Sequence, residues 1–64
     1  MDHPASALRA AIAAADAMAT RAGEDIRGAW RNGLITKAEC AASCDLVMAV
    51  RAARVRQLRA GTVS

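Results

Sequence analysis

The sequence predicts an all-α protein: an antiparallel helical hairpin of two long helices that dimerises into a four-helix bundle. Three observations predict it. Apolar residues recur at helical spacing through the first half, a capping box opens the second half, and an Asn-Gly pair separates the two. We read a single domain over residues 1–64, with a helix over 4–31, a turn over 32–35, a second helix over 36–60 and a short tail over 61–64.

The first helix opens at Pro4, whose fixed φ suits the first helical position, with Asp2 or His3 at or just before the cap and Ser6 as a competing cap. Leu8, Ile12, Ala15, Ala19, Ala22, Ile26 and Ala29 then recur at alternating steps of four and three, while Arg9, Asp16, Arg21, Glu24, Asp25 and Arg27 fall off that stripe. A seam of small alanines lets another helix approach closely. Gly23 and Gly28 each cost about 1 kcal/mol against alanine in a helix interior. The heptad phase survives both, so the reading is one continuous or slightly kinked helix to about Arg31; a break near Gly23, with a fresh start at Glu24 and Asp25, is the alternative.

Asn32 and Gly33 end that helix, and Leu34 and Ile35 lead straight into the next, so the two helices must be antiparallel neighbours. Thr36-Lys37-Ala38-Glu39 has the form of a capping box, with Ile35 and Cys40 placed as a hydrophobic staple. From Lys37 there is neither glycine nor proline until Gly61, which is read as the left-handed C-terminal cap. At 100° per residue Cys40, Cys44, Val47, Met48, Val55 and Leu58 share the face that should meet the first helix. Leu46, Val50 and Ala53, with Ala42 and Ala49 alongside, form a second apolar patch on roughly the opposite side. One partner helix cannot cover both. A second copy of the chain, a different protein, or both, should cover the rest.

Composition points the same way. Alanine fills 18 of the positions, Phe and Tyr are absent, and Trp30 is the one aromatic residue. A chain this short, with side chains this small, buries little apolar surface, and a lone hairpin built from it is marginal. The net charge of +3 is concentrated in the second half, where Arg51, Arg54, Arg56 and Arg59 follow the last acid, Asp45. These four are the candidate nucleic-acid contacts, since basic residues are the footprint of phosphate binding, although cations near a helix C-terminus also answer the helix dipole.

The longest weakly polar run, Ala10 to Ala19, contains Asp16 and is far shorter than the roughly 20 residues of a bilayer span. Asp2 and His3 replace the basic start of a secretory signal. A bacterial-type cytoplasmic protein is expected, without a membrane partner. Cys40 and Cys44 share a face and could in principle hold a metal, but the only histidine, His3, stands near the other end of the chain. The pair reads better as small buried residues, and no cofactor is expected. There is no phosphate loop, no nucleophile with its base, and no room for a substrate cavity between two helices, so neither catalysis nor a small-molecule substrate is expected.

From Glu24 to Ser43 the chain resembles the helix-turn-helix, the short DNA-reading motif, in the spacing of Ala29 and Gly33, which matches that family's small residue and turn glycine. The resemblance implies a reading helix offering Thr36, Lys37 and Ser43 to base edges. Glu39 stands where the family carries a buried aliphatic side chain and is needed for the capping box, so no base-contact role is carried over. In length and plan the chain is also similar to small hairpin regulators encoded by plasmids and phages, some of which bind RNA and others a host protein. The function expected is a non-enzymatic protein-binding module acting as a regulator, adaptor or inhibitor, with Trp30, Leu46, Val50, Ala53 and Arg54 as the contact residues. Nucleic-acid binding by the terminal arginines is the alternative.

Overall fold

The computed structural model describes the backbone of residues 4–63 and the side chains of residues 5–61. It consists of two helices, α1 (Pro4–Arg31) and α2 (Lys37–Val63), packed against each other as a hairpin. The caps assigned to Asp2 or His3 lie outside the described residues.

Both ends of the turn are fixed by local hydrogen bonding. α1 closes in a Schellman motif: Leu34 N–H donates to the Ala29 carbonyl at 2.9 Å and Gly33 N–H to the Trp30 carbonyl at 3.0 Å, with Gly33 at φ 75°. That left-handed conformation explains the glycine. Three residues later the capping box forms in both directions. Thr36 N–H donates to Glu39 Oε1 at 2.9 Å, and Glu39 N–H donates to Thr36 Oγ1 at 3.0 Å. Two donors that every helix start leaves unpaired are thereby satisfied.

α1 runs without a break through Gly23 and Gly28. Its whole heptad stripe, from Leu8 to Ala29, is half-buried. Gly61, in contrast, does not cap α2. The helix continues through it to Val63, and Gly33 is the one described glycine with positive φ. A Cβ at Gly61 would meet nothing within 4 Å, so no close approach forces the chain to turn there, and glycine accepts helical dihedrals at a cost of only about 1 kcal/mol.

The second correction concerns Met48, expected at the interface and found 67% exposed. It sits on the flank of the strip that α2 presents. Alanine and glycine on α1 let the helices come close, which narrows that strip and leaves an off-centre side chain uncovered. Among the described residues only Gly23 and Cys40 are buried, Cys40 at 7% exposure.

The Cα atoms span 48 × 21 × 8 Å, a single layer of two helices where most domains have two or three layers. The accessible surface is 5060 Å², against about 3,900 Å² for a compact folded chain of 6.6 kDa. The fold hides roughly half of what the extended chain would expose, where a 60-residue domain ordinarily hides about 60%. Both broad faces of the layer remain in contact with water.

Candidate functional site

The hairpin's register follows from one contact between the helices. Arg51 Nε donates to Asp16 Oδ1 in an exposed ion pair, so positions whose numbers sum to about 67 stand at one level. Arg51, expected as a nucleic-acid contact, is therefore engaged within the hairpin. Arg54, Arg56 and Arg59 are exposed beyond it, towards the end away from the turn.

On one broad face a groove of about 570 Å³ runs between the helices. Ala11, Ala14 and Ala15 supply its floor from α1; Met18 lines it from the same helix, and Leu46 and Val50 from α2. Arg54 reaches its end away from the turn. The three larger side chains are 74%, 65% and 61% exposed respectively, so the groove is a surface and not a closed pocket. The patch of Leu46 and Val50, expected on the far side of α2, instead joins α1 to make one apolar face. Ala53 is half-buried and lies outside the groove lining. Sequence reading missed Met18. Its signal was present: Ala7, Ala11, Ala14 and Met18 recur at steps of four, three and four beside the main heptad stripe.

The opposite face carries a smaller, more polar groove, where Thr20, Arg27, Cys44 and Met48 come together around the Asp16–Arg51 pair. Arg27 lies across the bare backbone of Gly23: a Cβ placed there would stand 3.3 Å from the Arg27 guanidinium. Burial pushes the Cys40 thiol above its ordinary value and the adjacent Cys44 adds to that shift, while Arg27 opposes it. Both cysteines are free thiols. Among the described residues no three His, Cys, Asp or Glu side chains are grouped to hold a metal ion, and no helix is long and apolar enough to cross a membrane.

No protein-family model, curated protein or solved structure matches the chain.

At the turn, Trp30 and Leu34 are both exposed and Ile35 is half-buried. The apolar tip that these residues make is separate from the groove lining. Thr36, Lys37 and Ser43, the side chains offered by the helix-turn-helix resemblance, line neither of these two grooves. The geometry thus brings together Leu46, Val50 and Arg54, adds Met18, and leaves Trp30 apart.

Proposed function

We propose that this chain is a non-enzymatic protein-binding module, a small regulator, adaptor or inhibitor, which completes its core by assembling as a homodimeric four-helix bundle. The observation that carries this reading is the apolar groove itself. Met18, Leu46 and Val50 stand exposed over an alanine floor, on a layer too thin to cover them. A contiguous apolar face of this kind on so small a chain is a contact surface, because its exposure to water is unfavourable by about 25 cal/mol per Å². The groove is open along the helices, which suits the side of another helix better than an enclosed substrate.

Val50→Asp tests the reading, since Val50 is exposed and its replacement leaves the hairpin interior untouched. The variant is expected to lose self-association, capture of a foreign protein, or both. If light scattering and affinity capture are unchanged by it, the reading is wrong.

A nucleic-acid role is favoured by the excess of arginine at the end away from the turn. Arg51, one of the four candidate contacts, is paired with Asp16. Retention on an immobilised duplex or RNA column that falls steeply with salt would support this second reading, and no retention at low salt would remove it.

A further inference from the structure

We infer that the groove is filled by a second copy of this chain, laid face to face with its ends reversed, so that the two apolar faces cover each other about Leu46 and Arg54 meets the partner's Glu39. The inference rests on the proposed reading of the chain as an association module and specifies its face and orientation.

The area is right for one interface. The chain exposes about 1,200 Å² more than a compact protein of its mass, and a stable interface takes about 800 Å² from each partner. One face of a layer 48 × 21 Å can supply that, and the alanine floor lets the second layer approach closely.

The charges choose the orientation. Between the turn and the Asp16–Arg51 level lie Glu24, Asp25, Glu39 and Asp45, balanced by Arg21, Arg27, Arg31 and Lys37. Beyond that level the described residues carry Arg9, Arg54, Arg56 and Arg59 and no acid. Stacking two copies with like ends together would gather eight arginines at one end. Stacking them with ends reversed lays the basic half of each over the half that holds the acids.

The groove's own face repeats the pattern. Asp25 stands seven residues after Met18 and Glu39 seven residues before Leu46, so both acids continue the groove's stripes towards the turn. Arg54 is eight residues after Leu46 on the same stripe. A two-fold axis crossing the helices at the level of Leu46 therefore brings Arg54 opposite the partner's Glu39. Each contact occurs twice, as a two-fold interface requires.

The experiment is light scattering on the full chain across a range of concentrations, with the variants Val50→Asp and Arg54→Glu. Twice the 6.6 kDa mass is expected for the wild type, with the mass falling towards 6.6 kDa in Val50→Asp. Arg54→Glu separates the two orientations by sign. With ends reversed it sets glutamate against the partner's Glu39 and raises the dissociation constant about tenfold. With like ends together it would relieve repulsion and tighten the dimer. A doubled mass with a tighter Arg54→Glu dimer overturns the arrangement and leaves the association reading standing. A wild-type chain that stays at 6.6 kDa while helical by circular dichroism overturns the dimer; if Val50→Asp then still abolishes capture of a foreign protein, the groove belongs to that protein. Should Val50→Asp unfold on losing its partner, the sign of the Arg54→Glu effect decides alone.

Discussion

Gly23 is buried where the helices pass, yet replacing it with alanine should make the protein more stable. A buried glycine at a helix contact normally invites the opposite expectation, because a Cβ would collide with the neighbouring helix. Here the three atoms nearest a Cβ at Gly23 all belong to the Arg27 guanidinium, at 3.3, 3.7 and 3.8 Å, so α2 comes no closer than an ordinary van der Waals contact. Arg27 is exposed, so the end of its side chain can shift by a few tenths of an ångström at little cost. Against that small cost stands the gain in helix propensity, about 1 kcal/mol. A net gain of about 0.5–1 kcal/mol is expected, which for a domain of this size raises the melting temperature by roughly 2–8 °C. Circular dichroism melts at equal chain concentration measure it, since association makes the midpoint concentration-dependent. In an Arg27→Ala background the gain should approach its full value. A loss of stability in Gly23→Ala would mean that α2 lies closer to α1 than this structure has it.

The other glycines separate by sign. Gly33→Ala forces φ 75° on an L-residue and is expected to lose about 1–2 kcal/mol, whereas Gly61→Ala, helical and with open space where the Cβ would stand, should gain up to about 1 kcal/mol; urea midpoints compare the two. Thr36→Ala removes the acceptor for the Glu39 N–H and should lower stability by about 1 kcal/mol in the same assay. Because the Cys40 thiol titrates higher in the folded chain than its ordinary 9.0, the unfolded chain releases that proton first, and stability should decline as pH rises above about 9. Urea midpoints between pH 7 and 10.5 should show this decline in the wild type and a shallower one in Cys40→Ala.

The local signals in this sequence were legible because they are self-contained. The capping box lies within Thr36–Glu39 and both its hydrogen bonds form; the seven-residue stripe from Leu8 to Ala29 carries the buried side of α1 unaided. What failed depended on the other helix. Gly61 has the composition of a helix stop, but glycine only permits a left-handed turn, and α2 runs through it to Val63. Met48 has the right angle for the interface, but how much of α2 is covered depends on α1, and Met48 is left 67% exposed. The groove was invisible for the same reason. Leu46 and Val50 look like a far-side patch on α2 alone, and Met18 looks like an outlier on α1 alone; they become one face only when the Asp16–Arg51 level fixes the register.

The two ends of the hairpin should differ in how they open, and that difference carries information about assembly. The two residues buried among those described, Gly23 and Cys40, lie on the turn side of the Asp16–Arg51 level, next to a turn held by the Schellman motif and the capping box. Towards the other end Leu8, Ile12, Val55 and Leu58 are only half-buried, and the ion pair itself is exposed and worth at most about 1 kcal/mol. An isolated hairpin should therefore open from that end, with amide exchange protection decreasing from Cys40 towards Ala60 and from Ile26 back towards Leu8. Reversed stacking changes this, because it covers the weak end of each chain with the firm end of the other. Hydrogen exchange read by mass spectrometry should then show protection of residues 5–14 and 53–61 that rises with protein concentration, while protection beside the turn changes less. Stacking with like ends together would leave weak end on weak end and give a smaller rise there. If exchange in these segments does not depend on concentration while the mass doubles, the copies meet through some surface other than the groove.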